Sequence, residues 1–340
     1  MRKLSKVLGV ILSIMITVGM FFGCSTMKVE SKESIIVTDQ LGREVEIDKV
    51  PEKIVSSYYI STSLLVNLGV KDKLVGIEGK ANTRELYKKA SPELIDLPTV
   101  GNSKEINVEE CASLEADLVI IPARLESFIE KFEALNIPVI AIEPETLDGF
   151  MESVDLLSKA VGKEEEGKEL NAYYKSIIEK VEGLTKDVTD KPKVYLSGSD
   201  SILKTCTSKM YQNYLIELCG GENVTSNLTD GYWSNISVEE LIKYNPEKIY
   251  MVGYATYSKE DVLKDSTLQT IEAIKNKDVY TFPSTLEAWD YPTPSSILGM
   301  LWLTNNLYPE KYSEEEYKMD ATEFYKKFYG IDVTEEEIGL

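Results

Sequence analysis

Histidine does not occur anywhere in the 340 residues. That removes Ser-His-Asp and Cys-His catalysis, the histidine-built zinc and manganese sites, and haem held through histidine. Cysteine is nearly as scarce, with four residues in all. Cys111, Cys206 and Cys219 make no disulfide framework. A single Cys206–Cys219 bridge is open, but small buried apolar groups are the expected role. Positive charge is short: 37 Lys and Arg face 57 Asp and Glu, for a net charge of −20. A nucleic-acid partner needs a basic face and is not expected here. No Gly-rich phosphate loop, nucleophile elbow or metal-ligand cluster stands out, and no low-complexity stalk.

What is present begins at the front. Arg2, Lys3 and Lys6 precede an apolar run from Val7 to Phe22, which breaks at Gly23-Cys24. A positive start and an apolar stretch shorter than the about 20 residues of a spanning helix describe an export signal. The Phe21-Phe22-Gly23-Cys24 tetrad resembles a lipobox, with Phe21 where leucine is usual. Residues 1–23 are therefore expected to be a lipoprotein signal and Cys24 the lipidated residue. The rest is expected outside the cytoplasm, bound to the membrane through that lipid. Losing residues 1–23 would delete three positive charges and take the net charge to −23, which keeps the body soluble.

A repeat suggests the architecture. Ile106-Asn107-Val108-Glu109-Glu110 leads through Cys111 to Asp117-Leu118-Val119-Ile120-Ile121. Ile236-Ser237-Val238-Glu239-Glu240 leads through Leu241 to Glu247-Lys248-Ile249-Tyr250-Met251 at the same spacing. Asn107 and Ser237 are N-caps, and Glu110 and Glu240 would complete capping boxes. One helix-then-strand unit thus occurs in each half, as two related lobes would show.

Each half otherwise alternates short strands and helices, which implies mostly parallel sheets. Expected strands are 53–57, 74–77, 118–121 and 138–142 in the first half, then 193–196, 249–252 and 279–282. Expected helices are 62–68, 128–135, 210–219, 238–243, 266–274 and 295–307. Residues 35–47 read as a β-hairpin. Between the halves, 147–161 and 164–184 have helical spacing, with Leu170, Tyr173, Tyr174, Ile177, Ile178 and Val181 as one apolar stripe. The expected fold class is α/β: two lobes of related design with mostly parallel sheets, joined by one long α-helix. The expected segments are 1–23 signal, 24–34 tether, 35–146 N-terminal lobe, 147–185 helical linker and 186–340 C-terminal lobe.

Several stretches carry a family resemblance: Thr38-Asp39-Gln40-Leu41-Gly42-Arg43, Val50-Pro51-Glu52-Lys53-Ile54-Val55, Gly220-Gly221-Glu222-Asn223-Val224 and Trp289-Asp290-Tyr291-Pro292-Thr293-Pro294. With the lipobox and the order of these pieces, the chain resembles the ABC-importer substrate-binding proteins of the helical-backbone class. That class captures ferric siderophores, haem and cobalamin. The resemblance implies two Rossmann-like lobes with ligand held in the cleft between them, no catalysis, no cofactor, and a permease with its ATPase as partner. It also implies one docking glutamate per lobe, and Glu109 and Glu239 match by position. Both also sit in the first turn of a helix, where a carboxylate complements the dipole.

Ligands of open α/β sheets lie beyond the carboxyl ends of strands. The residues found there are Tyr58, Tyr59, Ser61, Thr62 and Arg124 in the first half. In the second half they are Lys204, Tyr232, Trp233, Tyr254, Trp289 and Tyr291. Exposed aromatics beside one or two cations suit a large, partly apolar, anionic metal chelate, and a ferric siderophore is the first choice. Haem, a corrinoid or an oxyanion such as molybdate or tungstate are the alternatives. The competing class is a surface-anchored hydrolase working through paired carboxylates.

Overall fold

A computed structural model describes residues 34–340. The first two strands, β1 (Ile35–Thr38) and β2 (Glu44–Ile47), pair antiparallel as the expected hairpin, with Thr38 opposite Glu44. Its turn is closed by the Asp39 carboxylate, which accepts from the backbone of Leu41 and Arg43.

The first large sheet holds β3 (Ile54–Ser56), β4 (Leu74–Glu78), β5 (Thr99–Asn102), β6 (Glu105–Ile106), β7 (Leu118–Pro122) and β8 (Val139–Ile142), in the order β6-β5-β4-β3-β7-β8. All its pairs are parallel except β5–β6. Strand order reverses between β3 and β7, and such a switch point opens a crevice at the carboxyl ends. β7 reads Leu-Val-Ile-Ile-Pro and is wholly buried, as a parallel strand covered on both faces must be.

The second large sheet holds β9 (Lys193–Ser197), β10 (Lys204–Cys206), β11 (Glu222–Asn223), β12 (Trp233–Asn235), β13 (Lys248–Met251) and β14 (Val279–Thr281). Its order is β12-β10-β9-β13-β14, with β11 also on β9. β9, β13 and β14 run parallel, whereas β10 and β12 are antiparallel additions that the alternating pattern did not announce. The repeat places β7 and β13 as equivalent strands beside the centre of each sheet.

The helices Leu147–Ala160 and Glu164–Thr185 form an antiparallel pair between the two sheets in sequence. The longer has 22 residues, about 33 Å of rod. Leu170, Tyr174, Ile177 and Val181 of the expected stripe are buried. The rod does not stand alone. Tyr173 packs on Phe324 and Phe328 of the Glu314–Tyr329 helix, and the Tyr174 hydroxyl donates to the carbonyls of Thr293 and Pro294.

Three expectations need correction. The helix over 266–274 is confined to Glu272–Asn276, because the Asp265 carboxylate accepts from the backbone and hydroxyl of Thr267 and makes a turn there instead. The first capping box of the repeat is one-sided: Asn107 accepts from the Glu110 backbone, but the Asn107 N–H already donates to Val100. Of the two boxes in the repeat, the Ser237–Glu240 box closes. The Glu314–Tyr329 helix was not anticipated, although the Ser313–Glu316 box that opens it is a sequence pattern. The three cysteines of the described region are buried and unbridged.

Candidate functional site

The principal cavity lies where the carboxyl ends of both sheets face each other, with a volume of about 790 Å³. From the first sheet, the β3 end supplies Tyr58 and Tyr59, the β4 end Glu78 and Lys80, and the following turn Arg84. The β7 end supplies Arg124 and the β8 end Glu145. From the second sheet, the helix after β10 adds Gln212, the start of β12 adds Trp233, and the segments after β13 and β14 add Tyr254 and Tyr291.

Local causes fix these positions. The helix after β3 starts at Tyr59, earlier than expected, so Tyr58 is the cap and both rings leave the strand end in different directions. Tyr59 turns inward and its hydroxyl donates to Glu287 at 2.7 Å. The Arg84 guanidinium lies 3.7 Å over the Tyr59 ring. Trp233 sits on the β10–β12 pair opposite Cys206, and its ring passes over Gly198. A Cβ at Gly198 would come within 3.0 Å of that ring, so the glycine makes room for it.

Electrostatically, Arg124 is answered by Glu145, which also accepts from the Tyr58 hydroxyl at 3.4 Å. Burial raises the Glu145 pKa against the pull of Arg124. Arg84 has no salt bridge among the described residues, and its Nε is buried without a partner. Burial would lower the Arg84 pKa, but the oxygens of Tyr59, Tyr291 and Glu78 outweigh it and raise it. Beneath the cleft, Asp290 accepts from the Tyr254 hydroxyl at 3.0 Å and is pushed up to about 6 by burial.

Of the residues expected at the cleft, Tyr58, Tyr59, Arg124, Trp233, Tyr254 and Tyr291 line the cavity. Five do not. Ser61 and Thr62 are fully buried and turn back to Ser56, and Thr62 also donates to Glu78 at 2.6 Å. Trp289 is 1% exposed, its Nε1–H donating to the Tyr325 hydroxyl and its ring set against Tyr317. Helical packing from the C-terminal segment draws it into the core. Lys204 is folded onto Asp200, outside the cavity. Tyr232 is exposed and crosses to Glu143 on the other lobe at 3.1 Å. Glu109 and Glu239 are both exposed, one at the same point of each repeat. Cys24 lies outside the described residues.

Sequence reasoning missed Arg84, Gln212 and Glu145. Arg84 is the third residue of an Asn-Thr-Arg turn with no periodic signal. Its role exists only because the turn folds onto Tyr59.

A polar cleft between two parallel-rich sheets, with aromatic walls and no cluster of metal ligands among the described residues, suits capture of a small molecule. The molybdate-binding protein MolA of Haemophilus influenzae is 26% identical over 322 residues, covering 86% of this chain and 90% of that protein. A solved structure of MolA bound to molybdate matches with a TM-score of 0.79 at 25% identity, over 88% of this chain and 99% of that one. A periplasmic solute binding protein of Veillonella parvula matches with a TM-score of 0.78 at 27% identity, over 90% and 96% of the two chains. The Fe(3+)-citrate-binding protein YfmC of Bacillus subtilis is 28% identical over 292 residues, covering 82% of this chain and 90% of that protein. A family model described as periplasmic binding protein matches residues 54–286. Because that span runs from the first strand of one large sheet past the last strand of the other, and so takes in both walls of the cleft, this chain belongs to the periplasmic binding protein family.

Proposed function

We propose that this protein is the extracytoplasmic receptor of an ABC importer that captures a ferric chelate between its lobes and presents it to the permease. The family consists of non-enzymatic transport components that bind small ligands for delivery to a permease. The chelate reading rests on the cavity. Its 790 Å³ falls inside the roughly 300–1,000 Å³ typical of sites for organic ligands. A bare oxyanion displaces only a few waters at about 30 Å³ each. Aromatic rings on both walls supply faces for a ligand with apolar surface, and the Arg84 guanidinium supplies charge. Tethering through lipid on Cys24 and docking through Glu109 and Glu239 belong to the same reading.

An oxyanion is the second reading, favoured by the molybdate-binding relative, which covers most of both chains. Trp233 in the cavity wall makes the two separable by fluorescence. Titration with ferric citrate, a ferric catecholate, haem, cobalamin and molybdate should quench with an iron chelate. Quenching by molybdate alone would replace the chelate with the oxyanion.

A further inference from the structure

Tyr254 stands on the turn that follows β13, where the Ala255 N–H donates to the Val252 carbonyl at 3.1 Å and the Thr256 N–H to Ser199 at 2.8 Å. Beside it, Gly253 lets the ends of β13 and β14 come together, since a Cβ there would lie 2.5 Å from the Phe282 carbonyl oxygen. The backbone under Tyr254 is therefore tied in place. Its side chain is less enclosed: Tyr254 is 43% exposed, lines the principal cavity and also borders a smaller one of about 410 Å³. A ring that exposed has little packing to fix its rotamer. Two contacts supply what packing does not. Tyr291 meets the ring edge-on at 5.8 Å, and the Tyr254 hydroxyl donates to Asp290 at 3.0 Å.

Asp290 makes its contact at a cost. It is fully buried, its Oδ1 has no hydrogen-bond partner among the described residues, and no cation offsets its charge. The titratable groups around it are Tyr211, Tyr254 and Tyr291, all held neutral by burial. An apolar side chain of similar size would be cheaper in such a place. What a carboxylate adds is acceptor strength, about twice that of a neutral group toward a hydroxyl. A destabilising buried carboxyl whose hydrogen bond goes to a cleft residue points to the cleft rather than to the core.

We infer that Asp290 is a positioning residue for ligand recognition: through the Tyr254 hydroxyl it holds the Tyr254 ring at a fixed angle to Tyr291, as a platform for a planar, aryl face of the ligand. This rests on the cleft being the ligand site proposed above and narrows the chelate, favouring one built from aromatic rings over one built from aliphatic carboxylates. Asp290 acts only through the ring, since it is itself enclosed. A ring already set in its bound rotamer has no freedom left to lose when the ligand stacks on it.

The test is selectivity on the intact protein, read by tryptophan fluorescence with a ferric tris-catecholate, which presents aryl rings, and ferric citrate, which has none. The parent should prefer the catecholate. Tyr254→Phe keeps the ring and removes its anchor, and Asp290→Leu removes the anchor from the other side. Each should lower the catecholate-to-citrate affinity ratio by about 5- to 10-fold, the size of one net hydrogen bond. The double variant should lose no more than either single one. Asp290→Asn keeps an acceptor for the hydroxyl and should restore most of the ratio. If Asp290→Leu does not fold, Tyr254→Phe and Asp290→Asn decide the matter. A parent without preference, an unchanged ratio in Tyr254→Phe, additive losses, or a ratio in Asp290→Asn as low as in Tyr254→Phe overturns the inference while the chelate reading survives. If neither iron complex binds, the chelate reading fails, and the same variants decide the platform on haem or cobalamin, whose macrocycles are flat. Binding of molybdate alone, or of none of these, overturns both.

Discussion

Asp290 shows how one buried group ties the cleft to stability. Its carboxyl is raised from 3.8 to about 6 by burial, against the hydrogen bond from Tyr254. A folded pKa above the unfolded one means that the native state holds the extra proton between roughly pH 4 and 6, so stability falls as pH rises through that window. The two values differ by about 2 units, which corresponds to about 3 kcal/mol. Asp290→Asn removes the titration. Urea denaturation at several pH values should show the variant gaining on the parent by up to about 3 kcal/mol between about pH 4 and 7. A gap that stays constant with pH would exclude this role. The aromatics of the site illustrate another limit: Trp233 and Trp289 both read as strand-end aromatics, yet one faces the cavity and the other the core.

The helix pair is the element on which the inter-lobe geometry leans. At its crossing, a Cβ on Gly167 would lie 2.3 Å from Ser158 Oγ and 2.5 Å from Ser158 Cβ. Contact with a Cβ is not relieved by rotating a side chain, so the helices would have to part. Overpacking typically costs about 1–3 kcal/mol, and the helix propensity gained from alanine returns about 1. Gly167→Ala should therefore destabilise by up to about 2 kcal/mol net. Ser158→Gly should suppress that loss in the double variant. Additive effects in a double-mutant cycle would mean that the two helices are not in close register. The bounds and apolar stripe of this pair were readable because helical period is local. β10 and β12 were not, since three-residue antiparallel strands depend on each other for pairing.

Across the molecule, the lobes touch along a seam as well as through the rod. Leu86 N–H donates to Leu286, Tyr211 N–H to Glu145, and Glu287 collects hydroxyls from Tyr59 and Ser63 on one side and Ser295 on the other. Bonds of this number oppose wide hinge opening, so ligand capture is expected to shift the lobes only slightly. A nearly rigid body can carry two acidic points at fixed separation, and Glu109 and Glu239 occupy equivalent exposed sites of the repeat. In cells, Glu109→Ala with Glu239→Ala should abolish most uptake while ligand affinity stays unchanged, and Cys24→Ser should move the protein out of the membrane fraction. Uptake at the parent rate in the double variant would leave these carboxylates as helix-dipole partners alone.

The kind and order of most elements, the hairpin at 35–47, the twin helix-strand units and the long linker helix were all written in the chain. Periodicity, caps and turn residues act over a few neighbours. Which side chains form the cleft was settled elsewhere. Arg124 and Arg84 are the same residue type, but Glu145 reaches one, and among the described residues no carboxylate forms a salt bridge with the other. Tyr59 meets Glu287 from 228 residues away. Exposure and charge compensation at a strand end depend on the segment that folds over it, and that segment is remote in sequence.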